Sequence, residues 1–337
     1  MKEILKKLCV DRGVSGSENE MYDTVKELIG PAADITCDRC GNIIVSMGDK
    51  NADKHIMLDA HIDRIGLIVT YINDEGFIKA EPVGGIDVRT LAGSTVTVLG
   101  KEEITAVICT VPPHLSTDDS TLKKDNIWID TGLPCEKVKK LVSLGDRIIL
   151  YSRFTELQND RIAVSALDNR SGCAALIRCA RLISRKKIQC RVSFVFSVQE
   201  ETSELGAAAA AFSLQPDEAV VVDVGFASQK GVAPEKSGKL GCGGIISICP
   251  VLSRDVTDKL INISKRMELE CDYEVCGRST GTNADKISCS GRGVKTGVIS
   301  IPSKNMHTQT ELVSLEDIDN IAKLLAVYIT EGGAENA

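Results

Sequence analysis

The sequence has no excess of positive charge and no basic run. Forty Lys and Arg stand against 47 Asp and Glu, leaving a net charge of −7. An acidic surface repels a phosphate backbone, so nucleic acid is not expected as a partner. Long apolar runs are also missing. Stretches such as 207–212 fall far short of the ~20 residues a membrane-spanning helix needs, so no membrane is expected either. Charged residues interrupt the apolar positions of the first 18 residues, which leaves no h-region for a secretory signal. The expectation is a cytoplasmic protein. No second CxxC completes a structural zinc site with Cys37 and Cys40. No GxSxG elbow offers a serine nucleophile, and no cysteine sits in a recognisable Cys/His setting. Internal repeats and low-complexity tracts are absent as well.

What is present is ordinary for a globular enzyme, with 43% hydrophobic and 26% charged residues. The 337 residues exceed what one domain usually needs. Thirteen cysteines, an odd and scattered set, read as buried free thiols in a cytosolic chain. Helices are expected over 3–9 and 18–28, the second with Ser17 as N-cap and Glu20 completing a capping box. Strands are expected over 42–47 and 55–60.

From about 66 to 153 the texture turns to short β-rich runs: 67–72, 95–99, 105–111 and 147–151. Turn signals such as Gly84-Gly85 and Pro112-Pro113 punctuate them, with one helical stretch near 135–142. Beyond residue 161 apolar strands (191–198, 219–222, 295–301) alternate with helices (168–183, 315–328). The expected fold is α/β, a mixed central sheet with helices on both faces. Residues 1–65 and 155–337 would form it, and 66–154 a smaller inserted β-domain.

Sites in open α/β sheets form beyond the C-terminal ends of the strands. The strand over 55–60 delivers His61 and Asp63 there. The strand over 191–198 delivers Glu200 and Glu201, and 219–222 delivers Asp223. The strand over 295–301 leads through Pro302 to His307, and Asp168 opens the helix before 191–198. Taken singly, each has a bland explanation: a surface pair, a solvated turn, a helix cap. Together they crowd negative charge at one sheet edge, which is costly without cations. Imidazole and carboxylate donors without thiolate suit zinc, cobalt or manganese. Asp168 is placed to bridge two such metals, and one of Glu200 and Glu201 to act as base while the other ligates. Spacing alone does not say which.

The sequence resembles the M42 metallo-aminopeptidases, the glutamyl and tetrahedral aminopeptidases, over nearly its whole length. The motifs include Gly13-Val14-Ser15-Gly16-Ser17-Glu18, His61-Ile62-Asp63-Arg64-Ile65-Gly66 and Pro82-Val83-Gly84-Gly85. They continue with Ala166-Leu167-Asp168-Asn169-Arg170-Ser171-Gly172-Cys173, Val198-Gln199-Glu200-Glu201, Gly281-Thr282-Asn283-Ala284-Asp285 and His307. The resemblance implies a zinc-peptidase-like fold and two divalent metal ions (Zn, Co or Mn). It places one on His61, Asp168 and Asp223 and the other on Asp168, Glu201 and His307. It makes Glu200 the general base and has Asp63 orient His61. The metals would polarise the scissile carbonyl and lower the pKa of a bridging water. It further implies peptide substrates with a free N-terminus and a homo-oligomer in which the inserted, barrel-like domain pairs dimers that assemble to a dodecamer. Two features depart from the family pattern. Arg64 stands where an acid is usual, with either a selectivity or a structural role, and Val224-Gly225 follows Asp223.

Rival readings are a dinuclear hydrolase of another amide, a glucanase, and a non-catalytic assembly protein. A glycosidase needs two opposed free carboxylates, whereas His61 and His307 point to metal ligation.

Overall fold

The computed structural model describes residues 1–10, 12–31, 33–115 and 122–332. Its centre is an eight-stranded mixed sheet in the order Asp34–Cys37, Ile43–Gly48, Arg191–Ser197, His55–His61, Glu218–Phe226, Lys295–Ser303, Ile245–Ile248 and Asp272–Val275. The four strands Arg191–Ser197, His55–His61, Glu218–Phe226 and Lys295–Ser303 run parallel. They are the long apolar runs of the sequence, because both of their faces are covered.

The period-two alternation of a strand sorts their residues between two cores. Ile56, Leu58, Val222 and Ile299 point to the layer built by Lys2–Val10, Met21–Ile29, Leu167–Ile183, Arg254–Arg266 and Leu315–Gly332. Met57, Val195, Val221 and Val298 point the other way, onto the alanines of Leu205–Leu214 and the short helix Ala284–Ile287. Ala207, Ala210 and Ala211 let that helix lie close to the sheet.

Six further strands close into an antiparallel barrel: Gly66–Ile72, Ile78–Val83, Ile127–Asp130, Glu103–Ile108, Thr95–Leu99 and Arg147–Leu150. The barrel has its own core of aliphatic residues, among them Leu67, Val96, Ile129 and Ile148. Glu103–Ile108 shows the reason, with exposed and buried residues in strict alternation. Among the described residues, no barrel strand pairs with the central sheet. A small antiparallel sheet joins Thr155–Leu157 and Arg161–Val164, which follow the barrel in the chain, to the last strand, Glu311–Ser314, and carries a buried acid, Glu311.

Several local expectations differ from what forms. The second helix starts at Met21 rather than residue 18, and no side chain caps it. Glu18 instead accepts hydrogen bonds from the Gly16 and Gln199 amides, so its carboxylate is spent on tertiary contacts. The strand expected over 105–111 is Glu103–Ile108, ending before the Pro112-Pro113 pair. All thirteen cysteines are free.

Candidate metal centre

His61 is the last residue of its strand and is 1% exposed. Asp223 lies in the sixth position of the neighbouring Glu218–Phe226. Glu200 and Glu201 open a short helix immediately beyond Arg191–Ser197 and the left-handed Gln199. Asp168 sits at the head of Leu167–Ile183 with extended rather than helical backbone, which turns its carboxylate toward the strand ends. His307 comes from the loop after Lys295–Ser303. These six line one cavity of about 350 Å³, while Asp63 lies fully buried behind it.

Asp168 is the geometric middle. Its Oδ1 is 3.1 Å from His61 Nε2 and its Oδ2 is 3.1 Å from His307 Nε2. Asp223 Oδ1 lies 3.6 Å from His61 Nε2, and Glu201 Oε2 lies 3.4 Å from His307 Nε2. Glu200 Oε2 is 3.7 Å from His61 Nε2. Donor atoms of His61, Asp168 and Glu201 gather within 4.8 Å of one another, and so do those of His61, Glu200 and Asp223.

Three supports hold this arrangement. Asp63 accepts the Glu200 amide on one oxygen at 3.1 Å and the Glu201 amide on the other at 3.2 Å, so it fixes the turn that carries both glutamates. Its Oδ1 also lies 3.4 Å from His61 Nδ1. Glu311 does the same for the second half: it accepts the Asp168 amide at 3.0 Å and the His307 amide at 2.9 Å. The third support comes from the barrel's edge, where the Gly85 carbonyl lies 2.9 Å from His307 Nδ1. Sequence reasoning missed Glu311. Its only signal is an acid four residues past His307, opening an otherwise half-apolar strand.

Arg64 does not line the cavity. It is 3% exposed, and its Nη2 donates to Ser165 Oγ at 2.7 Å. Burial lowers its guanidinium to about 10, with Arg170 adding to the fall. Of its two readings, the geometry favours the structural one. His114 is exposed on a short turn away from the site.

So much buried acid disturbs every group in the cluster. Burial pushes Glu200 up to about 8, with Asp223, Asp168 and Asp63 adding to the rise and His61 opposing it. Burial and the Asp168 charge hold Glu201 well above the usual carboxylate range. Burial would raise Asp168 too, but hydrogen bonds with His307 and His61 hold it below that range. Burial alone would lower both imidazoles. The carboxylates outweigh it, lifting His61 well above its ordinary value and His307 to about 10. Protons taken up in this way are what divalent cations displace on binding.

The donors fit such cations. Imidazoles and carboxylates converge without a thiolate, and Glu201 Oε1 is buried with no hydrogen-bond partner among the described residues. Asp168 faces a histidine with each oxygen, so its carboxylate is shared between the two halves of the cluster.

Known proteins share this architecture. A lysyl aminopeptidase of Pyrococcus furiosus is 31% identical over 340 residues, spanning 98% of this chain and 96% of that protein. An aminopeptidase from the archaeon Desulfurococcus kamchatkensis superposes with a TM-score of 0.92 at 30% identity, covering 99% of this chain and 96% of that one. The TET1 peptidase of Pyrococcus horikoshii, which can assemble into a tetrahedron or a large octahedral shell, superposes with a TM-score of 0.87 at 32% identity, covering 98% and 99%. The family model for M42 glutamyl aminopeptidase matches residues 41–324, and the chain belongs to that family.

Proposed function

We propose that this protein hydrolyses the N-terminal peptide bond of peptides at a dinuclear metal centre. The observation that carries the reading is Asp168, with one oxygen on His61 and the other on His307. His61, Asp168 and Asp223 would hold one divalent ion, and Asp168, Glu201 and His307 the second, with zinc, cobalt and manganese all suited to the donors. When bound, such ions supply Lewis acidity that polarises a carbonyl and makes water nucleophilic near neutral pH.

The chain's own residues do the rest. Glu200, on the cavity wall and left over from the ligand sets, takes a proton from the attacking water on its carboxylate and returns it to the departing amine. Asp63 keeps Glu200 and Glu201 apart in role by fixing both of their amides. Glu311 holds the Asp168 and His307 backbones, so the two halves of the centre keep their spacing. Residues 1–65 and 155–337 would form this catalytic unit. The barrel within 66–154 would be an inserted dimerisation domain, with dimers building a closed homo-oligomer. Such an assembly would act on unfolded peptides with free N-termini in the cytoplasm. No helix among the described residues is long and apolar enough to cross a membrane.

The adjacent glutamates provide the test. Glu200→Gln should keep fold and bound metal and lose ~10²–10⁴-fold in turnover of aminoacyl chromogenic substrates. Glu201→Ala should instead lower the metal content of one site. Metal analysis showing the opposite pattern would reverse the assignment, since Glu200 also stands near His61 and Asp223.

A further inference from the structure

From Asp223 the cavity continues along a second wall whose chemistry is different. Asp223, Ser300, Ser247 and Glu274 lie on one face of the central sheet and step across it. Asp223 pairs with Ser300, Ser300 with Ile245, and Ser247, two residues on from Ile245, with Glu274. The strands of Asp223 and Glu274 are three spacings apart, about 14 Å across the sheet, with a two-residue step along it. Between them the floor is made of serine. Ser300 and Ser247 are each 3% exposed and line the cavity, where any larger side chain would fill it.

Glu274 stands at the far end. It lines the cavity, half-buried, while its neighbours Tyr273 and Val275 face outward. Apart from the residues proposed to hold metal or move the proton, it is the one charged side chain among the described lining residues. Among the described residues its side chain has no hydrogen-bond or ion-pair partner. Burial raises its carboxyl, and the exposed Lys236 opposes that rise. The lining residues Thr280 and Gly281 are tied to Asp285, which accepts hydrogen bonds from the Thr280 amide and hydroxyl and from the Gly281 amide.

We propose that Glu274 selects peptides whose N-terminal residue is basic, pairing with the lysine ammonium or arginine guanidinium at the end of this serine-floored channel. The inference rests on the aminopeptidase reading above. With the scissile carbonyl at the metal ligands, a short side chain stops above the serines. A leucine leaves the carboxylate half-buried and unpaired, and a glutamate meets like charge in a poorly hydrated space. A side chain five or six atoms long ending in a cation, as lysine and arginine have, spans the channel and satisfies it.

Lysyl, arginyl, leucyl and glutamyl p-nitroanilides, assayed with metal-loaded enzyme, give the first test. The parent should favour lysyl and arginyl over glutamyl substrates. Glu274→Gln should lower kcat/KM for the lysyl substrate about tenfold or more, the loss of one charge-assisted contact, and leave the leucyl value within about twofold. Equal loss on all four substrates would mean that Glu274 serves the common α-amine or the fold, and would overturn the proposal. So would a parent that prefers the glutamyl substrate. Hydrolysis of none of the four would instead sink the aminopeptidase reading, and this inference with it. Calorimetry separates binding from turnover. In the Glu200→Gln background, lysine amide should bind more tightly than norleucine amide, which differs by the ammonium. Adding Glu274→Gln should erase the difference, and a difference that persists overturns the assignment.

Discussion

At the scale of single residues, the centre depends on groups that never face substrate. His307 is the most exposed of the donors, with 29% of its side chain accessible, and its ring is positioned from behind by the Gly85 carbonyl. Gly85 has no side chain because there is no room for one: a Cβ there would lie 2.7 Å from His307 Nδ1. Gly85→Ala should therefore push the ring away from Asp168 and Glu201 while the barrel stays folded. Partners of this kind typically contribute 10–100-fold in metal affinity or activity. Metal titration should show a loss of that size, with the thermal midpoint of the metal-free protein unchanged. Full affinity in the alanine variant would remove Gly85 from the site. That these histidines and carboxylates would gather was legible in the sequence from their places after strands, because strand ends must deliver side chains to one edge. Glu311 was not. Its role lies in accepting two backbone amides from residues 143 and four positions away in the chain, a pattern that exists only once the small sheet has formed.

At the scale of elements, apolar runs were read correctly where both faces are buried, as in Arg191–Ser197 and Lys295–Ser303. Short edge strands such as Asp272–Val275 were passed over, since half their residues face outward and the composition is mixed. The amphipathic helix Arg254–Arg266 was missed as well, although Val256, Leu260 and Ile263 repeat at helical spacing on its buried side. At the N-terminal ends of the parallel strands the tie between elements is polar. Glu218, at the start of its strand, accepts hydrogen bonds from Lys54 Nζ at 2.7 Å and from the Tyr328 hydroxyl at 2.6 Å, joining two strands to the C-terminal helix. Burial would raise its carboxyl, but those bonds outweigh it and hold it below its ordinary value of 4.5. A depressed folded-state value means the contribution is present above pH 4.5 and is lost as pH falls through the folded value. Glu218→Gln should cost about 1.5–3 kcal/mol near pH 7, the range for a hydrogen bond to a charged group. The gap between variant and parent in urea unfolding should narrow as the pH drops below 4. A gap independent of pH would show that the charge is not what matters.

At the scale of the whole molecule, the barrel contributes none of the proposed ligands and yet reaches the site through Gly85, so the two units are coupled. Its inner residues form a complete core, but its outer surface is not uniformly polar. Tyr71 and Tyr151 are 52% and 58% exposed, and Val107 is 46% exposed in the outward row of a strand whose other outward residues are Glu103 and Thr105. Tyr71 also packs edge-on against Trp128, with ring centroids 6.4 Å apart, giving an aromatic pair at the barrel's surface. We propose that these exposed apolar side chains belong to a contact face between copies of the chain. The chain is accordingly expected to pair through the barrel and to build a dodecamer from those pairs, about 434 kDa from chains of 36.2 kDa. Multi-angle light scattering at micromolar concentration gives the mass directly, and a stable monomer would refute the assembly. Val107→Asp with Tyr151→Asp should shift the mass toward single chains, because a charge placed against its symmetry copy repels across a two-fold contact. If the barrel's role is association alone, the same variant should keep its hydrolysis of small chromogenic substrates. It should also lose discrimination against folded proteins with accessible N-termini, since only a closed shell screens substrates by size. Loss of small-substrate turnover along with the mass would instead place the barrel's influence on His307, through Gly85, ahead of its role in assembly.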